Sequence, residues 1–345
     1  MKYLTKTSEN NIRKKIVILN FILSVTILIY HSNCIKAMSY EYKDIFYYLS
    51  NFVTNFGYCA VPTFFALSAF LFYRNFSLSQ YILKLKRRFK SLCLPYLIWN
   101  LFYCILFVIC FYIPIIHNNT NSTTEFNLIN NIIGIIMSDY TPLWFVRDLI
   151  IYVILSPCIY YLIKNRIIGL IIIIITLSTN LFFINFPYES IEYWLPIYLT
   201  GAYIGHHYSE KIMTTIFTGK KNFIVSISIF ALSLFALCLI RNSYTFFIYR
   251  YVSPLGIWIL LDYIINYEKL KTRDAYTYSF FIYANHFFIL TALQRVTTNV
   301  IDNSTLAYGI NYLIIPPLVL YFLITIGKIL KHKYSKFYYL TTGGR

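Results

Sequence analysis

Runs of apolar residues near the ~20 residues needed to cross a bilayer recur along the whole chain. They fall at about 16–34, 56–73, 91–113, 143–163, 167–185, 191–208, 222–240, 245–265, 276–298 and 306–327. Lipid offers no hydrogen-bond partner to a backbone amide, so runs of this length are stable there only as helices. The pattern predicts an all-α fold: a polytopic membrane helical bundle of about ten transmembrane helices. Composition agrees. Of 345 residues, 58% are hydrophobic and 12% charged, against about a quarter charged in a soluble domain. A cytosolic enzyme, a secreted disulfide scaffold and a disordered tail protein are excluded. The run at 191–208 is short, and that at 245–265 carries Arg250 and Asp262.

Charge orients the bundle. The net charge of +17 sits in short clusters between apolar runs, which is the mark of membrane topology rather than of a nucleic-acid surface. With the N-terminus inside, the inner segments 1–15, 74–90, 164–166, 209–221, 266–274 and 328–345 hold 24 of the 30 Lys and Arg residues. The outer side holds Lys36, Lys43, Arg241 and Arg250, while Arg147 and Arg295 fall within spans. This asymmetry predicts that both termini are cytoplasmic. The polar stretch 117–127 reads as an outer loop. The first apolar run reads as a retained helix, because no small-residue cleavage site follows it. No loop is long enough for a second domain, so residues 1–345 read as one integral membrane domain, with a basic N-terminus (1–15) and a basic tail (328–345).

Ionisable groups within a bilayer are costly and so are candidates for function. Asn20, Ser24 and His31 fall within about 40° of one another on a helix, a polar stripe on an otherwise apolar cylinder. His31 lies about 22 Å along the helix from Ile16, in the outer half of the membrane, and imidazole is the natural general base near neutral pH. Ser279, Tyr283 and His286 share a face of the ninth run, with His286 expected near mid-membrane. The segment 74–90 reads as a basic cytoplasmic loop containing Arg74, Lys84, Lys86, Arg87, Arg88 and Lys90. It would anchor topology, and it would also suit a phosphate-rich ligand such as a nucleotide or coenzyme A. Trp144, Arg147 and Asp148 open the fourth run. Neighbours in sequence diverge by about 100° on a helix, so each charge is expected to find its partner elsewhere. Phosphate-binding loops, nucleophile elbows and zinc-protease motifs are absent, and the seven cysteines form no CxxC pair; no metal is expected.

Four segments in chain order resemble the acyltransferase family 3 of integral membrane proteins, which includes O-acetyltransferases of surface polysaccharides. They are NFILSVTILIYHS, ending near His31; AVPTFFALSAFLFYR with KRRFKSLCLPYLIWN; PLWFVRDLIIYVILSP; and YSFFIYANHFFIL. Asn20 stands where many members have Arg, Ala69 replaces the usual Gly after Ser68, and Ser91 takes the second place of the family's Arg-x-x-Arg after Arg88. The resemblance implies transfer of an acetyl group from cytosolic acetyl-CoA, as co-substrate, to a sugar hydroxyl. The acceptor would be a surface glycan or its lipid-linked precursor, and the setting the inner membrane. His31 would act as base or acyl carrier, with Arg147 and Asp148 ordering the outer cavity. Arg88, with Arg74, Lys86, Arg87 and Lys90, would hold coenzyme A. Asn20, Ser24, Ser68, Trp144, Tyr283 and His286 would line the acceptor cavity. The rival expectations are an exporter of acylated glycan without catalysis, and a polysaccharide polymerase or flippase.

Overall fold

The structure, a computed structural model, describes residues 6–33, 45–112, 133–134, 136–137, 142–183, 186–214, 219–264, 273–301 and 304–344. Lys36, Lys43, the polar stretch 117–127 and most of the basic segment 266–274 lie outside the described residues. Among those described, helix is nearly continuous and no strand occurs. In chain order the helices are α1 (Lys6–His31), α2 (Ile45–Gly57), α3 (Ala60–Tyr73), α4 (Tyr81–Arg88), α5 (Leu94–Tyr112), α6 (Trp144–Ile154), α7 (Ser156–Ile163) and α8 (Arg166–Ser178). They continue as α9 (Ile191–Thr214), α10 (Lys220–Leu239), α11 (Ser243–Ile264), α12 (Ser279–Val300), α13 (Ser304–Gly309), α14 (Ile315–Lys333) and α15 (Ser335–Thr342).

Five helical stretches are long and apolar enough to cross a membrane: Tyr47–Tyr73, Leu78–Leu106, Lys220–Leu239, Ser243–Tyr263 and Thr305–Lys333. Counting α6 and α7 as one broken span makes six. The expectation of about ten also rests on helices that are shorter or more polar, such as α8 and the Lys14- and Lys15-bearing α1. Large apolar side chains face outward, among them Ile167, Ile174, Leu232 and Leu239. A bilayer covers such a surface at no cost, whereas water would not.

Two expectations about local structure are corrected, both through proline. The stretch 74–90 is not a loop from Leu78 onward. It forms a 3-10 turn (Leu78–Gln80), α4 and a π turn (Phe89–Cys93) that runs into α5. Its Leu, Lys and Arg residues are good helix formers, and Pro95 is accommodated by the widened turn. A proline has no N–H and crowds the carbonyl four residues back; here that residue, Ser91, lies in the π turn. A second π turn, Ile310–Ile314, stands in the same relation to Pro316. The run 143–163 is not one helix either: it breaks at Leu155, two residues before Pro157.

The described chain forms two compact units, one of Met1–Ser77 with Cys158–Ile326 and one of Leu78–Pro157 with Gly327–Arg345. In the first, α3 lies along α9. Gly201 and Gly205 of α9 are one turn apart and face the α3 backbone. A Cβ on Gly201 would run into the Ala66 carbonyl, and one on Gly205 would sit 2.5 Å from the Phe70 carbonyl oxygen. Small residues four apart let membrane helices approach to backbone contact, which is what holds helices together where no hydrophobic force acts between them. Trp194 of α9 stacks on Phe65 of α3 at 5.2 Å between ring centroids. Lys15, grouped above with the cytoplasmic N-terminus, is instead buried: α1 begins at Lys6, and the Lys15 ammonium bonds Asp262 of α11 at 2.7 Å beneath the Trp258 ring. In the second unit α15 packs on α5, and the Trp99 indole donates to the Thr341 carbonyl at 2.8 Å. Gly343 then turns the chain in the left-handed region at φ 67°, against Ser91.

Replacing Gly205 by Leu forces α9 off α3, because the obstacle is main chain and cannot rotate away. We expect a loss beyond the ~1–3 kcal/mol typical of overpacking. It is read as a collapse of the monodisperse peak in detergent size-exclusion chromatography, and Gly205→Ala, whose Cβ meets the same carbonyl, should shift it in the same direction.

Candidate active site

In the first unit, α1 and α12 run side by side and bring two histidines together. The His31 and His286 rings lie 5.3 Å apart between centroids, tilted by 40°. The two residues stand at one level. Phe21 of α1 packs against Tyr276 at 5.0 Å, so the segment leading into α12 begins above the level of Ile16. Ten residues further along, His286 has risen to the level of His31. The end of α1 is pinned to its neighbours: Gln294 of α12 donates to the Ser32 carbonyl at 2.9 Å, and Asn33 to Thr54 of α2 at 2.8 Å.

The two imidazoles differ. His286 is fully buried, and its Nδ1–H points to the Tyr283 carbonyl at 2.7 Å. That bond sets the tautomer and leaves Nε2 as a lone pair. No hydrogen-bond partner for Nε2 occurs among the described residues. His31 is half-buried and bordered by Tyr30 and Phe287. Tyr283 borders the pair, 6.1 Å from the His286 ring. The remaining predicted lining residues contribute less. Ser24 is buried but spends its hydroxyl on the Asn20 carbonyl of its own helix at 2.9 Å. Asn20 and, on α3, Ser68 are half-buried.

The second unit holds most of the other predicted residues. On α4 and the π turn after it, Lys86, Arg87 and Lys90 are exposed and Arg88 is half-buried. None of Lys86, Arg87 and Lys90 has an ion-pair partner among the described residues. Arg74 belongs to the first unit, where it lies 3.9 Å from Glu9 and 3.7 Å from the Met213 sulfur. Trp144 opens α6, half-buried. Arg147 and Asp148 follow, and the expectation that each charge pairs elsewhere is corrected: the guanidinium bonds the neighbouring carboxylate at 2.9 Å through both Nε and Nη2. The long Arg147 side chain curls back where rigid helical spacing suggests divergence. Its Nη1 reaches the Met137 carbonyl at 2.9 Å, and Asp148 is fully buried.

One feature of the first unit escaped the sequence. A pocket of about 410 Å³ is lined by Tyr58, Asn180, Tyr188, Tyr193, Arg241 and Arg250, among others. Arg250 served above only as a topology charge. It is 3% exposed, with its guanidinium 4.1 Å from the Tyr193 ring centroid, a contact contributing roughly 0.5–2 kcal/mol. Arg241 donates to the Tyr58 hydroxyl at 2.7 Å. The signal was an arginine in an apolar run, but nothing in the sequence says which arginine lacks a counter-charge. Among the described residues no three His, Cys, Asp or Glu side chains gather to hold a metal.

A family model described as an acyltransferase domain matches residues 16–330. No curated protein and no solved structure matches the chain.

The histidine geometry predicts a chemical footprint. Diethyl pyrocarbonate, which acylates accessible imidazole, should modify His31 and spare His286 in the detergent-solubilised protein. His31→Ala removes the ring packed against His286 and should render His286 reactive. Peptide mass mapping reads both, and equal modification of the two residues in the wild type contradicts the arrangement.

Proposed function

The chain belongs to the acyltransferase family, and on that premise we propose that it moves an acetyl group from cytosolic acetyl-CoA to a sugar hydroxyl of a bacterial surface polysaccharide, such as O-antigen or capsule, or of its lipid-linked precursor. It does so as a multi-pass protein of the inner membrane with both termini in the cytoplasm. The observation that carries this reading is the pair of imidazoles at the end of α1, one half-accessible and one with a committed Nδ1–H.

His31 takes the proton from the acceptor hydroxyl as the oxygen attacks the thioester carbonyl of the donor. The C–S bond breaks and the departing thiolate receives the proton, so that acetyl thioester and alcohol become acetyl ester and free thiol. A positioned imidazole contributes about 10²–10⁴-fold to such a step. His286 is a positioning residue: with its Nδ1–H committed to the Tyr283 carbonyl, its ring is held against that of His31 and limits the orientations His31 can take. The donor role falls to α4 and the turn after it. Coenzyme A carries phosphates on a flexible arm, and unpaired Lys and Arg side chains on one short helix suit them. Half-buried Arg88 stands beside them, and Arg74, in the first unit, has Glu9 beside it. Arg147 and Asp148 neutralise each other within the second unit, and their role is to hold α6 in place for the acceptor side of the reaction.

His31→Ala should lower acetyl transfer at least ~10²-fold while membrane insertion is unchanged. The assay follows isotopic label from acetyl-CoA into glycan in membranes containing the variant. Normal transfer by well-inserted His31→Ala would remove the base, and an exporter that does no chemistry would show no labelling even in the wild type.

Changing Lys86, Arg87 and Lys90 together to Gln should raise the KM for acetyl-CoA with kcat little altered. It should also flatten the salt dependence of KM, because fewer charges remain to be screened. An unchanged KM would return this stretch to a topology anchor.

A further inference from the structure

Arg250 is hard to explain as packing. It lies in α11 with its side chain out of solvent, and its Nε and Nη1 are buried with no hydrogen-bond partner among the described residues. Nη2 donates to the Asn180 side-chain oxygen at 3.3 Å, and the guanidinium also bonds the Tyr193 hydroxyl. The rings of Tyr193 and Phe247 lie against the cation, but aromatic faces offer no acceptor in the plane of the guanidinium fork. Neither Arg250 nor Arg241 has a carboxylate within ion-pairing distance among the described residues. A buried cation with open donors is stable only when something supplies the missing oxygens. The donors belong to a residue that lines the pocket of about 410 Å³, on which Arg241 also borders.

We infer that this pocket binds an oxyanion carried by the acceptor: the carboxylate of an acidic sugar, or the phosphate that links a sugar to its lipid. The inference rests on the acetyl-transfer reading for the word acceptor, and on the pocket itself for the anion. The planar fork of Arg250 matches the two oxygens of either group. The volume falls in the range of small-ligand sites, and Tyr188 and Tyr193 give apolar walls to a sugar ring. The segments that frame the pocket, around 186–190 and 241–244, are those expected on the outer side, where a glycan would arrive. A short aromatic relay joins the pocket to the histidines. Arg241 holds the Tyr58 hydroxyl, Tyr58 packs on Tyr30 at 5.2 Å, and Tyr30 packs on His31 at 5.1 Å. An acceptor anchored through its anion therefore lies one aromatic layer from the base.

The test is isothermal titration of the purified full-length protein, in neutral detergent, with glucuronate, inorganic pyrophosphate and glucose at low and high salt. The expected result is binding of at least one anion, at least tenfold tighter than glucose and weakened by salt. Preference for glucuronate assigns the pocket to an acidic sugar, and preference for pyrophosphate to the lipid-linked phosphate. Arg241→Gln, at an exposed position, should weaken anion binding about tenfold, and Arg250→Lys, which keeps the charge but loses the fork, should do the same. The inference is overturned if glucose binds as well as both anions, if no anion binds, or if Arg241→Gln binds like the wild type. His31→Ala separates this result from the chemistry. Anion binding that persists in that variant stands on its own even if acetyl transfer proves absent, whereas transfer without any anion binding sinks the pocket and leaves the transferase reading intact.

Discussion

The contact of α9 with the backbone of α3 at Gly201 and Gly205 is the constraint on which the first unit is built. Within lipid, two apolar helices gain nothing by leaving acyl chains for each other, so their association depends on how closely main chains and side chains fit. Two glycines one turn apart remove the side chains that would hold α9 away. With α9 seated, Trp194 reaches Phe65, and α3 also borders α1 and α11. These neighbours bear His31, Lys15, Arg250 and Asp262. The helices that carry these polar groups thus pack on an α3 that is itself set by a close approach containing no polar side chain.

The bundle treats its buried charges in two ways. Lys15 and Asp262 neutralise each other across helices, and Arg147 and Asp148 do so within one. Removing one member of such a pair strands the other, at about 3–5 kcal/mol, so these pairs hold shape. His286 and Arg250 are different, because each keeps buried nitrogens with no hydrogen-bond partner among the described residues. An open donor or acceptor beside a cavity is a place where a substrate can bond. This contrast, rather than burial alone, separates groups that hold the helices from groups that face chemistry.

Proline shapes the ends of the helices in a consistent manner. Ahead of Pro95 and Pro316 the helix widens into a π turn and continues, while ahead of Pro157 it breaks. A widened turn lets a long helix keep its direction and still relieve the crowded carbonyl. As a result the basic face of α4 runs on without a gap into the apolar α5, and the cationic residues stand on a rigid element rather than on a loop.

Much was legible in the sequence because the bilayer is a uniform solvent with a simple rule. Apolar runs of spanning length must be helical, so the class of fold could be read from composition and periodicity, and the motifs around His31, Trp144 and His286 marked the family. The 3.6-residue repeat also placed Tyr283 and His286 on one face. Periodicity, however, describes a single helix. It does not say that the segment entering α12 meets α1 at Phe21, which is what brings His286 level with His31, nor that Lys15 meets Asp262 from 247 residues away. The Gly201–Gly205 spacing was present in the sequence, but only the arrival of α3 distinguishes it from any other pair of glycines. The same holds for Arg250: counting charges assigns it a side of the membrane, while the absence of a counter-ion among the described residues is a property of neighbours drawn from α9 and residues 179–183. Local sequence determined which segments are helices; the choice of partners, and with it the chemistry of each charge, was decided by close packing in three dimensions.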